Sequence, residues 1–228
     1  MKMNAPALST KSAWLPLTPR GVAAFASASS NRLLLVQFLF ALAGAATAGW
    51  FLSSAWTPTI RDAIKALPAG AQISQGALAW PGESPAVLAQ GRFIGFVVDL
   101  EHRGGSTVSS DIMVELGKNH WQLSSLLGAL HLPDGLETAY PQGYTIALNR
   151  NEVGPWWAAR EPFIIAIAMG LSALLLLISW GILATMYAPL VWLLAFFGNR
   201  AATLRSGWRL AGAALMPGAL FMSASIVF

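Results

Sequence analysis

All ten acidic residues of this chain lie between Asp62 and Glu161, and the long apolar runs on either side contain none. Seven of the fourteen cations share that segment, so seven cations against ten acids leave it at −3. The other seven, Lys2, Lys11, Arg20, Arg32, Arg200, Arg205 and Arg209, stand alone in two short stretches next to apolar runs and make the flanks +7. A chain that alternates uncharged runs with cation-only borders carries the pattern of the positive-inside rule. It predicts an N-terminus and Arg200–Arg209 on the cytoplasmic side and the acid-bearing segment outside.

Composition supports the same class. Charged residues make up only 11% of the chain and hydrophobic ones 55%, against a soluble norm of roughly 25% charged. The basic balance would suit nucleic acid in a soluble domain. Here the excess cations border apolar runs, which points to membrane lipids and away from nucleic acid. The absence of cysteine removes disulfides, thiolate metal sites and a cysteine nucleophile.

Six segments follow. Residues 1–32, rich in Ala, Ser and Pro with four cations, read as a flexible basic cytoplasmic tail. Residues 33–56 hold a first span, because Leu33 to Leu52 is free of charge over about the twenty residues that a bilayer core requires. Ala46-Thr47-Ala48 resembles a signal-peptidase site, but the long preceding tail and the continued apolar run favour an uncleaved anchor. Residues 57–160 form an extracytoplasmic α+β domain, 161–187 a second span and 188–209 an interfacial segment with a basic cytoplasmic loop. Residues 210–228 begin a third span. Trp50 and Trp56 before the domain, and Trp156 and Trp157 after it, suit interfacial aromatic belts.

Within 57–160, Ile60, Ile64 and Leu67 recur at helical spacing, with Arg61, Asp62 and Lys65 between them, and Pro68-Ala69-Gly70 stops the helix. Strand signals follow in "AQISQGALAW", "PAVLAQGRFIGFVVDL", "IMVELGKNHWQL" and the run from Tyr144 to Leu148, with Gly117-Lys118-Asn119 as a hairpin turn. "EHRGGSTVSSD" and "LPDGLETAYPQG" read as loops. The pattern predicts a small, mostly antiparallel sheet with one or two helices. Its expected core is Phe93, Phe96, Val98, Ile112, Val114, Leu116, Ile146 and Leu148. Pro162 suits the first turn of the second span, Pro189 should break or kink it, and Pro217 should bend the third.

Residues that could carry chemistry are sparse. His102, His120 and His131 follow no compact zinc pattern. Asp99 and Glu101 share one face of a strand, but beside a Gly-Gly loop they read as a strand exit to solvent. "GRFIG" and "RGG" lack the context and lysine of a phosphate loop, and neither a Gly-x-Ser-x-Gly elbow nor His-Glu-x-x-His occurs. No catalytic residue, cofactor-binding residue or metal ligand is therefore assigned. The spans lack the ionisable groups usual in ion-coupled transporters, and Gly44/Ala48, Ala45/Gly49 and Ala166/Gly170 have the spacing for close helix packing.

The order of parts, with "IRDAIKALPAGAQISQGALAW", "GRFIGFVVDL" and "LLAFFGNR…SGWRLAGAALMPGALFM", resembles an uncharacterised bacterial multi-span membrane family, a domain of unknown function that includes a protein assigned to maltodextrin utilisation. It is also distantly similar to Yip-like proteins. The resemblance implies multi-pass architecture over residues 33–228 and further helices beyond them, hence a piece of a longer chain. It supplies no catalytic residues. The leading expectation is a non-enzymatic bacterial inner-membrane protein that presents its outer domain for binding or assembly, with a membrane-protein partner. An accessory subunit of a transporter comes second, and a membrane-associated hydrolase or transferase third.

Overall fold

A computed structural model describes residues 15–101, 110–125 and 136–227. Three of its helices are long and apolar enough to cross a membrane: the helical runs Ser30–Ala66, Arg150–Phe197 and Leu204–Val227. The fold is α+β and divides into two compact units.

The first unit comprises residues 1–50 and 166–228. Helix α1 (Pro19–Ala24) starts where the Thr18 side chain accepts the Gly21 N–H, with Pro19 in its first turn, a position that needs no N–H. Helix α2 spans Ser30–Phe51, and Ser29 Oγ accepts the Arg32 N–H at its start. The unit's core joins Phe25, Leu33, Val36, Ala41, Ala45, Trp180, Ala213 and Met216. Phe25 is fully buried, and the Arg209 guanidinium donates to the Ala26 carbonyl at 2.6 Å. The expected mobile tail thus gives way to packed structure from Leu15 onward, because Pro16 and Phe25 supply apolar anchors among the small residues. The rest of that tail, residues 1–14, lies outside the described residues.

Helix α4 runs without interruption from Arg150 to Phe197, and helix α5 from Leu204 to Val227. Pro162 is therefore internal, and Pro189 does not end the helix. The start is set by Asn149, whose Oδ1 accepts the N–H groups of Asn151 and Glu152 at 3.0 and 3.1 Å. Asn149 with Glu152 three residues on is the cap-and-acid signature of a helix start. The end comes at Asn199, in the left-handed region at φ 51, where Arg200 N–H donates to Ala195 O. Helix α5 then opens six residues earlier than expected on a reciprocal cap: Ser206 N–H donates to Thr203 Oγ1 and Thr203 N–H to Ser206 Oγ.

The second unit spans Phe51–Ile165. After a π-helical turn at Leu52–Trp56, helix α3 covers Thr57–Ala66. It stops where Leu67 turns extended ahead of Pro68, as a residue before proline prefers. Strands β1 (Gln72–Ser74), β2 (Ala77–Ala79) and β8 (Thr145–Ala147) form a three-stranded antiparallel sheet in the order β2-β1-β8. Gln75 and Gly76, at φ 49 and 76, make the two-residue turn between β1 and β2, which requires positive φ at both positions. Gly76 meets that demand freely. Gln75 does so as a side-chain-bearing residue, and the hairpin was therefore not legible as a turn.

Strands β3 (Ala86–Gln90), β4 (Ile94–Val98), β5 (Ile112–Leu116), β6 (His120–Ser125) and β7 (Leu136–Ala139) form the larger sheet in that order. Pairing is antiparallel except between β4 and β5, which run parallel. The expected turn at Gly117-Lys118-Asn119 joins β5 to β6, and Gly117 N–H donates to His120 O at 3.0 Å. Strand β7 falls in a segment expected to be a loop. All four of its residues are exposed, and an edge strand without a buried face leaves no alternation to read.

The core of this unit also departs from expectation. It gathers Ile73, Leu78, Val98 and Tyr140, flanked by Trp80, Leu88, Leu100, Leu116, Trp121 and Leu148. Val98 is fully buried as expected, whereas Ile146 is 41% exposed. Phe93, Phe96, Ile112, Val114, Leu116 and Leu148 are half-buried. Ile146 pairs with Ile73 and so shares the face of buried Ile73 and Leu78, but it sits on edge strand β8, where the covering layer runs out. Alternation marks the strand without marking how far the core extends.

Candidate functional site

Asp99 is buried, at 2% exposure, where the sequence suggested an exit to solvent. Its N–H donates to Leu116 O at 3.0 Å, continuing the β4–β5 ladder by one residue. Its Oδ1 accepts the Glu101 N–H at 3.3 Å. Glu101 itself is exposed, so the two carboxylates do not share an environment. His120, at the start of β6, lies 3.6 Å from Glu137 on β7. His102 and His131 fall outside the described residues. Among the described residues no group of three His, Cys, Asp or Glu side chains comes together to hold a metal ion.

The feature the sequence did not reveal is a cavity of about 210 Å³ between α3, the larger sheet and the first turns of α4. Ile60, Ala63, Ile64 and Leu67 come from α3, and Phe96, Val114 and Leu116 from β4 and β5; Leu88, Leu148, Val153 and Trp157 complete the wall. The strand contributions follow from register. Phe96 pairs with Val114 and Val98 with Leu116, so alternate residues of two neighbouring strands face the helix together. A bulge between Val87 and Ala89 shifts β3 at Leu88. Leu88 joins the wall while Val87 remains 51% exposed. The helical spacing of Ile60, Ile64 and Leu67 was visible in the sequence. That their stripe and the sheet leave a gap depends on side chains distant in the chain.

One carboxylate clasps the helices that frame this cavity. Glu161 Oε1 accepts Arg61 Nη2 at 2.7 Å, and Oε2 accepts Arg61 Nε at 3.1 Å and Trp157 Nε1 at 2.9 Å. The Glu161 side chain is 13% exposed and that of Arg61 58%. The fork geometry suits guanidinium and carboxylate, and the third bond holds the Trp157 indole against the cavity wall. A groove of about 330 Å³ adjoins it, lined by Arg61, Ile64, Lys65, Arg150, Gly154, Trp157 and Ala158.

On the core side, the Tyr140 hydroxyl donates to Gly117 O at 3.2 Å, and burial pushes its pKa up to about 12 from 10.0. A raised folded-state pKa means that the unfolded chain releases the proton first. The contribution is complete below about pH 10 and is lost as pH rises through about 12. Tyr140→Phe should cost about 1 kcal/mol at neutral pH, the value of one hydrogen bond. The gap between variant and parent should then narrow as pH climbs above 10. Denaturant unfolding of both proteins at neutral and alkaline pH checks this, and a gap independent of pH would show that Tyr140 is not shielded in the folded state.

An α+β unit carrying an apolar cavity, in a chain with three helices of membrane-crossing length and composition, is the class the geometry defines. No family model, curated protein or solved structure matches the chain.

Proposed function

We propose that this chain is a non-enzymatic, multi-pass protein of the bacterial inner membrane that presents residues 57–160 outside the cytoplasm as a binding domain, with its N-terminus inside. The observation that carries the proposal is a compact unit inserted in the chain between two helical runs, each long and apolar enough to cross a membrane. The partition of acids and cations supports the orientation. The large apolar side chains left exposed along α4, among them Phe163, Ile167, Leu175, Ile182, Met186 and Leu194, suit contact with lipid and would be costly in water. Connection to an apolar helix at each end tethers the domain, which raises its effective concentration for membrane-bound partners. The likeness to the multi-span family of unknown function is part of the same proposal.

Binding is favoured over catalysis because the cavity wall is apolar apart from the Trp157 indole, whose N–H Glu161 accepts, whereas Asp99, Glu101 and His120 do not line it. Reporter fusions at Gly105 and Thr203 test the orientation. Alkaline phosphatase should be active at Gly105 and silent at Thr203, with a cytoplasmic reporter giving the reverse. Phosphatase activity at Thr203, or its absence at Gly105, would overturn the proposal.

A further inference from the structure

We infer that the cavity and the adjoining groove form one site for a fatty-acid carboxylate, with the alkyl tail in the cavity and the headgroup at Arg61, Lys65 and Arg150; this rests on the binding-domain reading above. An apolar cavity of ~150 Å³ in a protein core stays dry and accepts benzene. On the same scale about 210 Å³ takes a tail segment on the order of eight carbons. A water held there would need two to four polar partners, and none of the eleven lining side chains except the Trp157 indole carries a polar atom. That indole N–H is already given to Glu161.

The groove adjoins the cavity, and Ile64 and Trp157 line both. Three cations and no carboxylate line it. Arg61 is fixed by Glu161, and Lys65 pairs with Asp62 at 2.8 Å where both side chains are more than 60% exposed. Such an exposed pair holds its lysine only weakly. The Arg150 side chain is exposed and makes no ion pair or hydrogen bond among the described residues. Charge at the mouth and hydrocarbon in the interior together specify an anionic headgroup on an apolar tail. A small anion would leave the cavity unused, and a neutral alkane would leave the cations unused.

The purified full chain in phosphatidylcholine nanodiscs, labelled with a photoactivatable long-chain fatty acid and mapped by mass spectrometry, tests the proposal. Crosslinks should concentrate on α3 and the first turns of α4, and oleate should compete, while oleyl alcohol and inorganic phosphate should not. Ala63→Leu, which fills the cavity from a position 5% exposed, should reduce labelling about tenfold. Lys65→Gln with Arg150→Gln should weaken competition by oleate about fivefold. These two side chains are exposed, so the pair of changes tests the site even if the cavity-filling variant does not fold. Labelling indifferent to both changes, or spread evenly over the apolar helices, would overturn the site. Equal competition by oleyl alcohol would reduce it to hydrocarbon partitioning, and competition by phosphate alone would replace it with a small-anion site. The reporter fusions read insertion and not ligand, so failure here leaves the orientation result standing, and the reverse also holds.

Discussion

Leu78→Ala is expected to destabilise the α+β unit by about 2–5 kcal/mol, while Ile146→Ala should stay within about 0.5 kcal/mol. Both are aliphatic residues on short strands of the same three-stranded sheet, each directly paired with β1 or carried by a strand that pairs with it. Leu78 is 4% exposed and packs with Ile73, Val98 and Tyr140. Its N–H also donates to Lys118 O at 2.7 Å, linking the small sheet to the β5–β6 turn. Truncation to Ala leaves that bond in place and removes three carbons from a buried site, so the cost is transfer plus cavity. Ile146 is 41% exposed, and its truncation removes side chain already in solvent. Denaturant unfolding of the full chain, followed by intrinsic fluorescence, gives both values. Leu78 and Ile146 both pair with Ile73 and so share its face, and equal effects at the two positions would mean that the core extends over β8 at the edge of the sheet.

Gly207→Leu should cost about 3 kcal/mol and Gly170→Leu should be neutral or slightly stabilising. A Cβ at Gly207 would lie 2.9 Å from the Ala188 carbonyl oxygen of α4 and 3.6 Å from the Trp192 nitrogen. Those are backbone atoms of a neighbouring helix, which cannot rotate away as a side chain would. The helices must therefore separate, and the contacts of buried Ala184, Ala188 and Ala211 are lost with them. Gly170 has nothing within 4 Å of its ideal Cβ, and replacing glycine inside a helix recovers about 0.5–1 kcal/mol of propensity. Unfolding of the two variants in mixed micelles, compared with the parent, decides the matter. Tolerance of Leu at position 207 would show that α4 and α5 do not approach each other there.

The two glycines also explain what spacing could and could not reveal. Small residues four apart were visible at Gly44/Ala48, Ala45/Gly49 and Ala166/Gly170. Of these, Ala45 and Gly49 are buried in the first unit, whereas Ala166 and Gly170 are exposed. Gly44 also packs closely, since a Cβ there would lie 2.8 Å from Leu176 Cδ1. Gly207 with Ala211 and Ala184 with Ala188 make further close approaches that those pairs did not include. A four-residue spacing permits contact on any helix face, and the choice of face depends on the partner helix.

The helix ends show the opposite balance. Asn149 and Glu152 carried the start of α4 in plain sight, and Thr203 with Ser206 carried that of α5, yet the apolar runs that begin later drew the boundaries inward. Capping is a local hydrogen-bond requirement, and it placed both starts where the run of hydropathy did not. Pro162 did not open the helix and Pro189 did not break it, because a long helix can lose an i→i−4 bond and continue when its other bonds persist.

By itself, the sequence determined the segregation of charge, the three runs long enough to cross a bilayer, the amphipathic α3 and the strand-forming stretches around Phe96, Val114 and Trp121. These follow from local composition and from periods of 3.6 and 2, which adjacent residues alone can express. Only the tertiary structure decided that Asp99 is buried, that Ile146 is not, and that β4 and β5 run parallel. It alone joined Arg61 to Glu161 a hundred residues apart and left a cavity between α3 and the sheet. Each of these depends on which faces meet and how completely they fill the space between them, and packing of that kind is a property of residues far apart in the chain.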